Sequence, residues 1–138
     1  MSYWDSAAVV PLLICEKRTD YYSRLRERES IVTWWGTPVE CASALARKLR
    51  DRTLTPAGFA AALHFLDQLQ KNWTEIQPSP PLRQTAIKLL RTYPLRAADS
   101  LQLAAAIVAS DFDPAGRRFL SEDERLKSAA EGEGFLVD

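Results

Sequence analysis

Three acidic residues of this sequence lie in stretches that are otherwise apolar. Asp99 is the only acid in residues 95–109, where apolar side chains cover nearly every face, a pattern typical of a buried helix. Glu40 lies within a shorter apolar run, and Asp5 directly precedes another. An ionised carboxylate in such surroundings costs several kcal/mol unless it meets a metal ion, another cation or a proton. We therefore predict that these acids share one site.

The elements that must position these acids alternate along the chain. The predicted strands cover residues 2–4, 31–35, 73–77, 119–121 and 135–137. The predicted helices cover residues 6–14, 20–28, 38–50, 57–71, 82–92, 95–109 and 122–131. Thr37 and Thr55 each precede a proline and are predicted N-caps. The alternation predicts a three-layer α/β/α fold in which helices cover both faces of a mainly parallel five-stranded sheet.

The order of these elements predicts that the acids converge. Asp5 directly follows the first predicted strand, and Glu40 falls in the first helical turn after the second. Asp123 follows the fourth strand, and Asp99 reaches the same edge if its helix begins there. The carboxyl ends of parallel strands meet at one edge of a sheet, which is where ligands bind in open α/β folds.

Four converging carboxylates indicate a bound cation. Two carboxylates about 4 Å apart repel each other by about 4 kcal/mol at an effective dielectric constant near 20. Oxygen donors without histidine or cysteine beside them favour Mg²⁺ or Mn²⁺ over zinc. Water bound to such an ion can attack a phosphodiester, while the ion stabilises charge on the leaving oxygen. The acids therefore predict metal-dependent phosphodiester hydrolysis.

Composition limits the class of protein. The chain has 138 residues with 46% hydrophobic and 26% charged residues, values that are ordinary for one soluble domain covering 1–138. Its net charge is zero, and no apolar run approaches the roughly 20 residues of a membrane span. Cys15 and Cys41 lie in apolar helical runs and are predicted to be reduced core residues, so we expect a cytoplasmic protein.

Four segments, taken in order, resemble the PIN domain, and specifically the VapC-type toxins of bacterial and archaeal toxin–antitoxin systems. These segments are Asp5-Ser6-Ala7, Pro38-Val39-Glu40, Leu95-Arg96-Ala97-Ala98-Asp99-Ser100-Leu101-Gln102-Leu103-Ala104 and Leu120-Ser121-Glu122-Asp123-Glu124-Arg125-Leu126. The resemblance covers essentially the whole chain. It implies a PIN-like fold and a Mg²⁺-dependent ribonuclease whose catalytic and metal-binding acids are Asp5, Glu40, Asp99 and Asp123. It also implies an RNA substrate, a homodimer, and a cognate antitoxin protein that covers the site.

Two further residues match positions near the acids of that family. Ser121 stands where the family has a small hydroxyl residue two positions before the last acid, and could orient water or phosphate. Arg96 lies one helical turn before Asp99, so it could contact phosphate or form a surface ion pair. Glu122 and Glu124 flank Asp123, so only the resemblance selects Asp123 from these three neighbouring acids.

Two other functions are alternatives to the ribonuclease. A phosphoryl-transfer enzyme with Asp5 as its nucleophile would normally have a second acid two residues later, where this chain has Ala7. A catalytically silent protein-binding scaffold is disfavoured because all four acids are present.

The predicted antitoxin surface is the helical pair 38–71. Its apolar side chains offer more area than contact between two helices needs; they are Val39, Leu45, Leu49, Leu63 and Leu66. The same area could meet the sheet instead, and the family resemblance favours the antitoxin.

Overall fold

The sheet of this protein is parallel throughout the part of the chain that the computed structural model describes, residues 2–138. Its four strands are β1 (Ser2–Trp4), β2 (Ile31–Trp34), β3 (Thr74–Ile76) and β4 (Arg118–Leu120). They lie in the order β3-β2-β1-β4, and each neighbouring pair is parallel. The order reverses at β1, so the carboxyl ends of β1, β2 and β4 line the edge where ligands bind in such sheets.

Helices cover both faces of this sheet, which confirms the three-layer prediction. They are α1 (Ser6–Leu13), α2 (Thr19–Arg28), α3 (Thr37–Arg50), α4 (Pro56–Gln70), α5 (Pro80–Thr92), α6 (Ala97–Ala109) and α7 (Glu124–Glu133). Successive side chains of a strand point to opposite faces. Tyr3 therefore joins the core beneath α5 and α6, whereas Trp4 joins a second core with residues of α1, α2 and α4.

The predicted fifth strand does not form within the described residues, so the predicted strand count is wrong. The segment 135–137 makes a single parallel bridge, between Leu136 and Arg118. Phe119 N–H donates to the carbonyl of Leu136 at 2.9 Å, and Leu136 N–H donates to the carbonyl of Arg117 at 2.8 Å. One paired residue beside β4 is too short a contact to count as a strand.

The burial predicted for the Asp99 helix holds only beyond its first turn. Helix α6 begins at Ala97, whose side chain is exposed, and Asp99 is half-buried. Burial becomes nearly continuous from Ser100 to Ile107. The side chains of the first turn are thus less covered than those of the later turns, which leaves the acid partly accessible.

Two details of α3 and α4 differ from prediction. Gly36, rather than Thr37, is the N-cap of α3, whereas Thr55 caps α4 as predicted by accepting a hydrogen bond from Gly58 N–H at 3.0 Å. Leu45 and Leu66 are buried, so these two side chains are wrongly predicted to offer surface to a partner.

Other burial predictions have mixed outcomes. Both cysteines are free; Cys41 is buried as predicted, but Cys15 is exposed because α1 ends before it. Trp34 is buried, whereas Trp35, predicted to be the last residue of β2, lies after the strand and is 52% exposed. No helix within residues 2–138 is both long and apolar enough to cross a membrane.

Candidate active site

Asp5 lies at the centre of the candidate site. It directly follows β1 and is the N-cap of α1, where its Oδ2 accepts a hydrogen bond from Ala7 N–H at 3.3 Å. The same oxygen accepts a hydrogen bond from the Ser121 hydroxyl at 2.7 Å. The side chain is buried, with 3% of the residue exposed. The Asp5 carboxylate is thus held by a backbone N–H two residues away and by a hydroxyl from the far end of the sequence.

Glu40 lies beside Asp5. It falls in the first turn of α3 and is half-buried. The Ser6 hydroxyl donates to Glu40 Oε1 at 3.0 Å and lies 3.4 Å from Asp5 Oδ1, so one hydroxyl bridges the two acids. The side-chain amide of Gln102 donates to Glu40 Oε2 at 3.1 Å. Both oxygens of Glu40 therefore have donors.

Asp99 and Asp123 belong to helix starts at the same edge. Asp99 is the third residue of α6, and its Oδ2 accepts a hydrogen bond from Arg96 N–H at 3.4 Å. Asp123 is the exposed N-cap of α7, and its Oδ1 accepts a hydrogen bond from Leu126 N–H at 3.1 Å. The N–H of Asp123 also donates to Ser121 Oγ at 3.0 Å, which links this residue to Asp5 through Ser121.

The four acids form one electrostatic group. Burial, opposed by the hydrogen bond from Ser121 and helped by the charge of Asp99, raises the pKa of Asp5 to about 6. Burial and the charge of Asp5 raise the pKa of Glu40 to about 7. Burial and the charge of Asp123 raise the pKa of Asp99 as well. The structure thus places Asp5 and Glu40 side by side, with Asp99 close enough for its charge to act on both and with Asp123 acting on Asp99.

The oxygen donors of these acids suit a hard divalent cation, but their side chains do not form a complete coordination site. Within residues 2–138, no three His, Cys, Asp or Glu side chains are gathered closely enough to hold a metal ion. Asp99 and Asp123 each accept from a backbone N–H of their own helix, and repulsion between carboxylates favours such separate partners. The donor set nevertheless consists of oxygen atoms alone, which suits Mg²⁺ or Mn²⁺.

Two arginine side chains lie near Asp99. Arg96 and Arg125 both lower the pKa of Asp99 through their charges, although burial and Asp123 outweigh them. Arg96 is the exposed N-cap of α6, and its backbone N–H donates to the Asp99 carboxylate. It therefore lies one helical turn before Asp99, as predicted. Sequence reasoning missed Arg125, although it lies only two residues after a predicted acid.

Sequence reasoning also missed Ser6 and Gln102. Gln102 is a polar residue between two leucines of a buried helix, the same signal that singled out Asp99. Ser6 carried no comparable signal, because a serine in the first turn of a helix is common.

Comparison with solved structures identifies the architecture. The crystal structure of Mycobacterium tuberculosis VapC20, a toxin that cleaves the sarcin-ricin loop, matches this chain with a TM-score of 0.70. The match covers 99% of this chain and 97% of VapC20 at 15% sequence identity. The chain has the VapC-type PIN-like fold.

A second solved structure shares this VapC-type fold. Pyrobaculum aerophilum PAE2754 matches with a TM-score of 0.68 and 20% identity, over 99% of this chain and 89% of that one. No family model and no curated protein sequence match the chain. At these identities the likeness concerns the fold, so it confirms the predicted PIN-like architecture and leaves the roles of single residues as predictions.

Proposed function

We propose that this chain is a metal-dependent endoribonuclease toxin whose catalytic acids are Asp5, Glu40, Asp99 and Asp123. The observation that carries the proposal is the pair of adjacent acids with raised pKa, Asp5 and Glu40, bridged by Ser6. Placing two carboxylates side by side with little solvent opposes folding, so a functional role explains them better than a structural one. The shared fold of VapC20, which cleaves the sarcin-ricin loop, supports RNA as the substrate.

The proposed cofactor is Mg²⁺ or Mn²⁺, held by these four acids. When bound, such an ion activates water and stabilises the negative charge that develops on phosphate oxygens. The chain supplies orientation: Ser121 holds one oxygen of Asp5, and Ser6 holds one oxygen of Glu40. Carboxylates fixed in this way by outer hydrogen bonds bind metal ions better than freely rotating ones.

The phosphate of the substrate would meet positive charge from Arg96 and Arg125. Both guanidinium groups act on Asp99, both residues are exposed, and neither is part of an ion pair within residues 2–138. Arginine presents several N–H donors that suit phosphate oxygens. We therefore propose that these side chains hold an RNA backbone beside the acids.

Purified protein is expected to cleave RNA in the presence of Mg²⁺ or Mn²⁺ and to stop when the ion is chelated. The assay is gel analysis of a labelled RNA that contains a single-stranded loop, with EDTA added and then excess Mg²⁺ restored. Cleavage that persists in EDTA, or that only Zn²⁺ restores, contradicts the mechanism. Absence of cleavage under all ions, with the fold intact, would instead favour the silent scaffold.

Antitoxin binding is expected to protect residues 38–71 from hydrogen exchange. Val39 is 69% exposed directly beside Glu40, and Leu49 and Leu63 are partly exposed further along α3 and α4. A basic side chain of the antitoxin would then satisfy the acids and displace the ion. The measurement compares the free and the antitoxin-bound protein; unchanged exchange throughout 38–71 rules out this surface. A homodimer stays a prediction of the family resemblance, and a cytoplasmic location stays a prediction from the cysteine residues.

A further inference from the structure

We propose that Gln102 is a positioning residue that fixes the carboxylate of Glu40 through a buried chain of hydrogen bonds. The inference rests on the proposed function, because Glu40 is one of its acids. Gln102 lies three residues after Asp99 on α6, so this helix contributes both an acid and the amide that holds a second acid.

The side chain of Gln102 is completely buried and uses all of its polar atoms. Its Oε1 accepts a hydrogen bond from the Tyr3 hydroxyl at 2.6 Å. Its Nε2 donates to Glu40 Oε2 at 3.1 Å and to Thr37 Oγ1 at 3.0 Å. A primary amide has two N–H donors, and both are engaged here.

The donors and acceptors behind Gln102 determine which way its amide faces. The Thr33 hydroxyl donates to the carbonyl of Trp4 at 2.6 Å, so its oxygen is left to accept. The Thr37 hydroxyl, 2.7 Å away, is then the donor to Thr33, and Thr37 can only accept from Gln102. A flipped amide would place its oxygen against Thr37, whose hydroxyl donates to Thr33, and against the carboxylate form of Glu40, which has no proton to donate.

Because each donor in this series of hydrogen bonds has a fixed direction, the carboxylate of Glu40 has a defined orientation. Gln102 holds Oε2 from the side of the core, and Ser6 holds Oε1 from the side of Asp5. Buried networks in which every group is paired are rigid, and removal of a residue that orients a metal ligand typically weakens metal binding by about 10–100-fold. Thr37 is predicted to cap α3. Its hydroxyl instead belongs to this network of hydrogen bonds, between Thr33 and Gln102.

The test compares Gln102→Met with Glu40→Gln and the double variant by calorimetric titration with Mn²⁺. Methionine matches the size of glutamine without its donors, so Gln102→Met is expected to weaken Mn²⁺ binding by about 10–100-fold. In the Glu40→Gln background the same change is expected to have no further effect, because the residue acts through Glu40. Gln84→Met, an exposed change on α5, is the matched control and should leave binding unaltered.

Additive losses of Mn²⁺ affinity in the double variant, or unchanged affinity in Gln102→Met, overturn the inference. A second measurement needs no metal: in urea unfolding, the two substitutions are expected to shift the midpoint non-additively, and additive shifts overturn the inference as well. If wild-type protein bound no Mn²⁺, the proposed function would fail while the unfolding comparison still decided the role of Gln102. Should Gln102→Met not fold, Tyr3→Phe takes its place in both measurements, with the same expected directions, because it removes the hydrogen bond that holds Gln102 Oε1.

Discussion

Replacing Asp5 by asparagine is expected to reduce RNA cleavage by about 10³-fold, since a bound ion contributes several kcal/mol to the transition state. The same substitution is expected to stabilise the metal-free protein by about 1–3 kcal/mol at pH 8, because burial disfavours the charged form of Asp5. Asparagine keeps the size of the side chain and an oxygen that can accept from Ser121. Cleavage rates and urea unfolding of the two proteins, measured side by side, check both effects.

Asp67→Asn is the matched control for this experiment. Asp67 is an exposed acid of α4 in an ion pair with Lys71, far in sequence from any candidate acid. Its replacement is expected to leave cleavage unchanged. A clear loss of metal-free stability in Asp5→Asn would contradict the interpretation, because it would make Asp5 a member of a stabilising network rather than a strained functional acid.

Metal-free protein is expected to lose about 2–4 kcal/mol of its free energy of unfolding between pH 5 and pH 8. The pKa values of Asp5 and Glu40 rise from 3.8 and 4.5 to about 6 and about 7 in the folded chain, so the native state holds these protons more tightly than the unfolded state. Their contribution is complete below pH 4 and is lost as the pH rises through 6 and 7. Glu40 is half-buried and partly screened by solvent, which limits its share.

Mg²⁺ or Mn²⁺ is expected to reverse this dependence. The ion binds the deprotonated acids, so it stabilises the folded chain most at high pH, by mass action. Urea unfolding at a series of pH values, with EDTA and with saturating Mn²⁺, measures both curves. In Asp5→Asn the slope between pH 5 and pH 8 should be clearly shallower; an unchanged slope would assign the titration to other groups.

Local chemistry made much of this protein predictable from its sequence. Strands and helices follow from the spacing of apolar residues, and their alternation implies a parallel sheet with helices on both faces. Because Asp5 directly follows β1 and Glu40 lies in the first turn of the helix that follows β2, topology alone predicts both at the carboxyl edge of the sheet. Asp123 needed the family resemblance, since Glu122 and Glu124 share its local setting.

Tertiary structure decided the strand pairing and the burial that depend on residues distant in the sequence. The segment 135–137 forms one bridge rather than a strand, because pairing depends on how far β4 extends beside it. The first turn of α6 is open, because burial depends on which turns the sheet and neighbouring helices cover.

The hydrogen-bond partners of the acids were equally beyond local inference. Ser121 is 116 residues from Asp5, and Gln102 is 62 residues from Glu40. The sequence therefore determined that Asp5 and Glu40 lie at the same edge of the sheet, since strand ends and helix starts are encoded locally. Only the fold determined how their carboxylates are held, because a buried donor is recognised by the acceptor that the packed chain brings to it.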